Sequence, residues 1–239
     1  MFDIKRIQQD FSKAAAQYDE YAHLQQHVLR RLVEWAAPLV PADALVLDAG
    51  CGTGQCAKLL EGRRFVQLDL SPAMCAIARR NGHSAVTGTI AALPFADGSF
   101  DAVISSLALQ WLPDWRGAMQ ELKRVVKPGG VVAVSTFGAA TLHELRESFA
   151  AIDGDAHVSP FADAQGWQKE IVTEHFADMG ALMRALKAIG AANKLAGRRK
   201  GLTTRRRLQQ VEAVYRERFV DKNGLRVTWE ILYWIESCR

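Results

Sequence analysis

The sequence has few cysteines and no long uncharged segment. One close cysteine pair, Cys51 and Cys56, brackets a glycine loop and lacks the second pair that zinc-type spacing requires. The longest stretches without Asp, Glu, Lys or Arg cover 16 residues each, Asn81–Ala96 and Pro128–His143, and both are too short to span a bilayer. The first residues form no apolar signal core. We therefore expect a soluble cytoplasmic protein with reduced thiols, no metal site and no membrane contact.

The composition excludes several classes of protein. The 239 residues are 49% apolar and 23% charged, values that exclude wholesale disorder, a collagen-like fibre and a coiled coil. The net charge of +4 is unevenly placed, because residues 194–226 hold eleven basic and three acidic residues. The rest of the chain is therefore net acidic. A basic segment on an acidic body favours an acidic binding partner.

Short apolar runs alternate with helical segments after a helical region of about forty residues. The first five runs are Ala44–Leu47, Phe65–Leu68, Ser84–Thr87, Asp101–Leu107 and Val131–Phe137. This alternation predicts an α/β fold with a doubly wound, mostly parallel sheet covered on both faces. Two later runs bring the expected number of strands to seven, with helices near 178–189 and 203–218 between them: Glu170–Phe176 and Val227–Ile235.

A loop of alternating glycines is the strongest local signal. The sequence Asp48-Ala-Gly50-Cys-Gly52-Thr-Gly54 lies between the first predicted strand and a helix. Glycine allows the backbone to turn tightly and a ligand to approach closely. In doubly wound sheets ligands bind at the carboxyl ends of the strands, so the loop predicts a nucleotide-like ligand. A phosphate-binding P-loop is disfavoured because no Gly-Lys-Ser/Thr follows.

Two carboxylates at successive strand ends narrow the choice of ligand. Asp48 precedes the first glycine, where it would repel a pyrophosphate and attract a cation such as the sulfonium or ammonium of S-adenosylmethionine. Asp69 ends the second strand and could accept both ribose hydroxyls of an adenosine, a role that dinucleotide enzymes share. Either residue alone could be a turn or cap carboxylate. Together they favour S-adenosylmethionine, with a nicotinamide dinucleotide as the alternative.

Four motifs that occur in a fixed order along the chain indicate a resemblance to a known family. Asp48–Gly54, Asp69, Leu93–Asp101 and Arg124–Gly130 resemble the motif series of class I S-adenosylmethionine-dependent methyltransferases. More narrowly, the chain resembles the malonyl-acyl-carrier-protein O-methyltransferases of biotin synthesis over nearly its whole length. The flanking segments that support this are Phe11–Asp19, Ser106–Trp111, a stretch beginning Leu186-Lys-Ala-Ile-Gly190-Ala, and Gly201-Leu-Thr203.

The resemblance implies one methyltransferase domain over residues 1–239. Its parts are a helical lid over 1–40, a cofactor-binding core over 43–137 and a substrate-side region over 138–239. That last region includes a basic helical insertion about 178–220 and a final strand about 226–236. The implied reaction moves a methyl group from S-adenosylmethionine to the free carboxylate of a malonyl thioester, leaving S-adenosylhomocysteine. The malonyl methyl ester then primes pimeloyl formation.

The resemblance also implies which residues hold the cofactor. Thr89 stands where the family usually carries an acid for the adenine amino group. The expected cofactor-binding residues are Asp48, Gly50, Cys51, Gly52, Gly54, Asp69, Leu70, Met74, Thr89, Ile90 and Ser105.

Four further residues are expected to serve the reaction. A malonyl carboxylate is already ionised at neutral pH, so the reaction needs positioning and exclusion of water rather than a general base. Arg199 is expected to hold the carboxylate in a bidentate pair. Tyr18 is expected to cap the cofactor pocket, Trp111 to lie near the methyl donor and Phe176 to line the acyl channel.

The basic segment is expected to bind acyl-carrier protein carrying the malonyl thioester. The residues assigned to this contact are Arg198, Lys200, Arg205, Arg206 and Arg207. A nucleic-acid partner is disfavoured because the chain has no recognisable RNA-binding module and no basic–aromatic interleaving. The alternatives are a methyltransferase for another small molecule, such as a quinone or a free carboxylic acid, and a binding protein without turnover.

Overall fold

The computed structural model of the protein describes residues 3–153, 161, 164–189 and 205–238. The predicted site residues Arg198, Arg199 and Lys200 lie outside these described residues, as does the side chain of Arg205. The strands are β1 (Leu45–Ala49), β2 (Arg64–Asp69), β3 (Ser84–Thr87), β4 (Phe100–Ser106), β5 (Val126–Phe137), β6 (Gln168–Phe176), β7 (Val220–Asp221) and β8 (Gly224–Ser237). The helices are α1 (Ile4–Ala14), α2 (Tyr18–Tyr21), α3 (His23–Ala36), α4 (Cys56–Leu59), α5 (Pro72–Arg80), α6 (Trp115–Arg124), α7 (His143–Ala150), α8 (Met179–Ala188) and α9 (Arg205–Phe219).

The strands form one sheet in the order β3-β2-β1-β4-β5-β8-β6, with β7 paired to β8. Strands β1 to β5 run parallel to one another, whereas β8 runs antiparallel to both β5 and β6. The predicted doubly wound, mostly parallel sheet is therefore confirmed, and its seven predicted strands form the continuous path. The additional strand β7 is two residues long, too short to give a periodic signal in the sequence.

Two element boundaries differ from the sequence-based prediction. The sequence pattern predicts a helix over Ala118–Val126, but helix α6 begins at Trp115, because the side chain of Asp114 caps it by accepting a hydrogen bond from the Gly117 amide at 2.9 Å. Strand β5 begins at Val126 rather than Val131, with a register shift opposite Phe100–Ala102 that accommodates the intervening Lys-Pro-Gly-Gly.

The sheet is buried on both faces by helices. Adjacent residues of β1 point to opposite faces: Val46 packs into the cluster beneath α3, α7, α8 and α9, and Leu47 packs into the cluster beneath α6. Both side chains are fully buried. The strand order reverses between β1 and β4, and this leaves a crevice at their carboxyl ends where a ligand can bind.

Candidate active site

Two adjoining cavities occupy the crevice at the carboxyl ends of the strands. The first is a cleft that reaches from the ends of β1 and β2 to the loop after β4. The second lies between α2, α3 and the glycine loop and includes Asp48. The first cleft is lined mainly by apolar and aromatic side chains with a few polar groups, which is typical of small-molecule sites. The two cavities share Tyr18, Gly50, Gly52 and Ser106.

The glycine loop has the left-handed backbone that its sequence predicts. Gly50 and Gly54 have φ values of +83° and +85°. The amides of Gly50 and Cys51 both donate to the carbonyl of Leu68, at 2.7 and 3.0 Å, which fixes the loop against β2. A Cβ atom on Gly54 would lie 2.5 Å from Oε1 of Gln67, so this glycine lets the loop pack on β2. Gly54 is not among the residues lining either cavity, and its cofactor role stays a prediction.

Asp48 is a buried carboxylate that lacks a partner. Its residue is 4% exposed, and no described residue donates a hydrogen bond to its solvent-excluded Oδ2 atom. Burial, and secondarily the negative charge of Asp69, raises the pKa of Asp48 to about 8. A buried carboxylate without a donor is costly, and a cation placed in the adjoining cavity would relieve that cost.

Asp69 ties the loops after β1 and β2 together. Its Oδ2 accepts a hydrogen bond from the Gly52 amide at 2.9 Å, and its Oδ1 accepts one from the Ser71 amide at 2.7 Å. Burial raises the pKa of Asp69, and these two amide hydrogen bonds oppose the rise. Each oxygen keeps a further lone pair, so the predicted acceptance of ribose hydroxyls is compatible with this geometry and stays a prediction.

The N-terminal helix α1 covers the first cavity. Ile4, Ile7 and Phe11 recur on one helical face and line the cleft. Two polar contacts hold this helix against the start of α5: the Gln8 amide donates to the Leu70 carbonyl at 3.0 Å, and the hydroxyls of Ser12 and Ser71 lie 2.9 Å apart. The predicted N-terminal helices thus cover the site.

Aromatic side chains from both sides of the cleft meet beneath α1. The ring of Phe11 lies 5.6 Å from that of Trp111 in an edge arrangement and 6.4 Å from that of Tyr18. Burial and the nearby charges of Asp69 and Asp19 raise the pKa of the Tyr18 phenol, which stays protonated at neutral pH. The structure therefore places Tyr18 and Trp111 in the cleft, as their predicted roles require.

Asp19 joins α2 to the glycine loop. Its two carboxylate oxygens accept hydrogen bonds from the Thr53 hydroxyl at 2.7 Å and from the Gln55 amide at 2.8 Å. Both donors lie within three residues after Gly52 in the chain. These contacts hold the N-terminal helices closed over the two cavities. No local sequence pattern predicts this pairing, because the residues are more than thirty positions apart.

We expect Asp19→Ala to loosen the N-terminal helices. Loss of the two hydrogen bonds to a carboxylate should speed amide hydrogen exchange across Ile4–Ala14 by about 5- to 30-fold. Hydrogen exchange read by mass spectrometry measures this change directly. Glu20→Ala is the matched control, since Glu20 is the exposed neighbour of Asp19 on the same short helix. Equal exchange in the two variants would contradict a closing role for Asp19.

Most of the other predicted cofactor residues also lie in the crevice. Leu70, Met74, Thr89 and Ile90 line the first cavity, and Cys51 lines the second. The hydroxyl of Thr89 accepts a hydrogen bond from the Ala91 amide at 3.2 Å. The sequence-based reasoning did not include several residues that line the cavities: Gly88, Leu107, Ala108, Leu112, Gln25 and Gln55.

Ser105 is placed differently from the prediction. It is fully buried, and its hydroxyl donates to the Ala49 carbonyl at 2.8 Å, which ties β4 to β1. The next residue, Ser106, lines both cavities instead. Successive residues of a strand point to opposite faces, so an offset of one position moves the side chain out of the crevice.

Two predicted substrate-side residues lie away from the cavities. Phe176, at the end of β6, pairs with Leu225 of β8 and packs against the larger core cluster. Arg207, in the first turn of α9, forms an ion pair with Asp153, whereas Arg206 is exposed. The predicted acyl-channel role of Phe176 and the partner contact of Arg207 stay predictions.

The described residues offer neither a metal site nor a membrane-spanning helix. Among them, no group of three His, Cys, Asp or Glu side chains is arranged to hold a metal ion. None of the described helices combines the length and apolar character needed to cross a bilayer.

Comparisons with known proteins agree with this site. A family described as "Methyltransferase domain" matches residues 47–134, the segment from β1 to β5. The chain is 37% identical to the malonyl-[acyl-carrier protein] O-methyltransferase of Laribacter hongkongensis over 97% of this chain and 88% of that protein. It is 34% identical to the biotin biosynthesis bifunctional protein BioHC of Saccharophagus degradans, over 96% of this chain and 46% of that longer protein.

A solved structure supports the fold. A putative methyltransferase from Bacillus halodurans superposes with a TM-score of 0.60 at 18% identity, covering 88% of this chain and 99% of that one. At this identity the likeness concerns the fold alone. The identity to the Laribacter protein over nearly the full length of both chains is what assigns the family. The chain therefore belongs to the malonyl-acyl-carrier-protein O-methyltransferases, S-adenosylmethionine-dependent enzymes built on the class I methyltransferase fold.

Proposed function

We propose that the protein methylates the free carboxylate of a malonyl thioester carried by acyl-carrier protein, and that the malonyl methyl ester primes pimeloyl formation in biotin synthesis. The family supports this acceptor. The single observation that supports methyl-donor binding is the buried Oδ2 atom of Asp48, which has no hydrogen-bond donor among the described residues and belongs to a residue that lines the second cavity. A buried carboxylate in this position suits a positively charged ligand and disfavours a pyrophosphate.

The residues of the cleft fit S-adenosylmethionine. When bound, S-adenosylmethionine supplies an electrophilic methyl group on a positively charged sulfur. Asp48 would hold its cationic amino-acid end, and Asp69 would hold the ribose. The clustered rings of Phe11, Tyr18 and Trp111 would help to exclude water from the cleft, which favours attack by a carboxylate that water would otherwise solvate.

The acceptor side needs a cation rather than a base. The malonyl carboxylate is ionised at neutral pH, so no side chain has to remove a proton before it attacks the methyl carbon. Among the described residues that line the two cavities there is no arginine or lysine. We assign this role to Arg199, which the family resemblance indicates and whose guanidinium can bind a carboxylate through two hydrogen bonds.

The carrier protein would bind near the start of α9. Arg206 is exposed there, and the basic segment 194–207 precedes and includes it. Acyl-carrier proteins are acidic, so opposite charges would steer the encounter and make it sensitive to salt. Arg198, Lys200 and Arg205 belong to the same proposal.

The test measures release of S-adenosylhomocysteine with four acceptors: malonyl-acyl-carrier protein, malonyl-coenzyme A, acetyl-acyl-carrier protein and bulk tRNA. We expect turnover with the malonyl substrates alone, and added salt should raise KM for the carrier-protein substrate more than for the coenzyme A substrate. Arg199→Ala should raise KM for both malonyl substrates by about 10-fold or more while cofactor affinity is unchanged.

Two outcomes would overturn the proposal. A protein that binds S-adenosylhomocysteine and turns over no malonyl thioester would exclude this acceptor and point to another small molecule. Turnover with tRNA would move the acceptor to RNA.

A further inference from the structure

The second cavity contains another buried oxygen without a partner. Gln25, on α3, lines this cavity, and no described residue donates a hydrogen bond to its solvent-excluded Oε1 atom. Its neighbour Gln26 behaves differently, because the Gln26 amide donates to the Asp19 carbonyl at 3.0 Å. Buried polar atoms are normally paired, so an unpaired acceptor on a residue that lines a cavity marks a position suited to a hydrogen-bond donor of a ligand.

Gln25 and Asp48 line the same cavity from two different elements, and each has an unpaired hydrogen-bond acceptor. Asp48 ends β1, Gln25 lies on α3, and in each the partnerless atom is an acceptor. A ligand that satisfies both must carry at least two N–H or O–H donors. A primary ammonium group has three N–H donors and a positive charge, which matches one carboxylate and one neutral acceptor.

The neutral side-chain amide of Gln25 adds no further negative charge to a region that already holds several carboxylates. The negative charges of Asp19 and Asp69 raise the pKa of Tyr18, and Asp69 also raises the pKa of Asp48. Another carboxylate would raise the pKa of Asp48 further and weaken its hold on a cation. A glutamine oxygen accepts a hydrogen bond without adding negative charge.

We propose that Gln25 Oε1 accepts a hydrogen bond from the α-ammonium of the amino-acid part of S-adenosylmethionine, opposite Asp48. Gln25 is then a binding residue that makes the enzyme select a cofactor bearing that amino group. This inference rests on the proposed function, since it assumes that S-adenosylmethionine occupies the cavity. It assigns to α3, at the end of the N-terminal helical region, a direct contact with the cofactor.

Calorimetric titration of three ligands tests the proposal. S-adenosylhomocysteine has the complete amino-acid end, its decarboxylated analogue keeps the ammonium alone, and methylthioadenosine lacks both groups. We expect Gln25→Met, which keeps the side-chain length without an acceptor, to weaken binding of the first two ligands by about 10- to 100-fold. Binding of methylthioadenosine should change by less than about 3-fold.

The controls separate binding from folding. Gln25→Met removes an unpaired buried oxygen, so the thermal midpoint of the free protein should not fall. Gln210→Met, at an exposed position of α9, should leave all three affinities unchanged. Gln25→Leu serves as a second variant in case the methionine fills the cavity.

Each outcome decides between named alternatives. Equal weakening of all three ligands would overturn the proposal in favour of a general packing role. Weakening for S-adenosylhomocysteine without weakening for the decarboxylated analogue would also overturn it, because Gln25 would then bind the carboxylate through its N–H group. If the unmodified protein binds no S-adenosylhomocysteine, the proposed function itself fails.

Discussion

Asp48→Asn is expected to weaken binding of S-adenosylhomocysteine by about 100-fold or more near pH 8, since removal of one partner of a buried charged pair costs 2–5 kcal/mol or more. The aspartate supplies the negative charge that a buried ammonium requires, whereas an asparagine supplies a weaker acceptor. Titration calorimetry of both proteins measures the change. Asp43→Asn, at an exposed position just before β1, is the matched control and should bind normally.

The same substitution has a pH-dependent effect on stability. The pKa of Asp48 is raised to about 8 in the folded cofactor-free protein, whereas an unfolded aspartate titrates near 4. The folded protein therefore holds a proton that the unfolded chain releases, and the stability linked to that proton is complete below about pH 4 and lost by about pH 8. Asp48→Asn removes this dependence. Its stability advantage over the unmodified protein should grow between about pH 5 and 8 and level off above that.

Proton release on ligand binding measures independently how a cationic ligand changes the protonation of Asp48. A cation in the cavity lowers the pKa of Asp48, so binding below about pH 8 should release a proton. At pH 7 we expect release of between about 0.5 and 1 proton per ligand, measured by calorimetry in buffers with different ionisation enthalpies. Asp48→Asn should release none from this position. Identical proton release by the two proteins would contradict a cationic ligand beside Asp48.

The fold was predictable because its signals are local. The runs that form β1, β2 and β4 are apolar and end in polar or glycine residues, so their period and their length both indicate buried parallel strands. The start of α6 was misplaced by three residues, because the capping aspartate, Asp114, lies beyond a proline and a leucine that suggest a loop. Strand β7 has two residues and depends on a turn at Gly224 with a φ of +123°, which no periodic pattern records.

The site residues that belong to one loop could be predicted from the sequence. Those that come together only when distant segments fold could not. Asp48, Gly50 and Gly52 are adjacent in the sequence, and a single motif identifies them together. Asp19 and Gln25 reach the same cavities only after α2 and α3 fold over the glycine loop, and their helical pattern is equally typical of a surface face. The structural signal for Gln25 is an unpaired buried atom, which a sequence cannot show.

Gly50→Ala is expected to destabilise the protein by about 2–4 kcal/mol and to reduce cofactor affinity by about 100-fold. Gly50 has a φ of +83°, where an alanine is strained, and its added Cβ would lie 2.5 Å from the Cβ of Ala108. That neighbour is a short side chain next to Leu107, itself in the left-handed region at a φ of 48°. The backbone must therefore move, and with it the Asp48 carboxylate and the amides that fix the loop.

Substitution of a second glycine separates the effect of backbone strain from that of the contact with Ala108. Gly82 has a φ of +86°, nearly that of Gly50, but an added Cβ there would meet nothing within 4 Å. Gly82→Ala should therefore show the backbone strain alone, about 1–2 kcal/mol in urea denaturation, with normal cofactor binding. The additional loss in Gly50→Ala measures the close approach of the loop to Ala108. Adding Ala108→Gly to Gly50→Ala removes the atom that is struck, so affinity should partly return; unchanged affinity would show that backbone strain alone disables the loop.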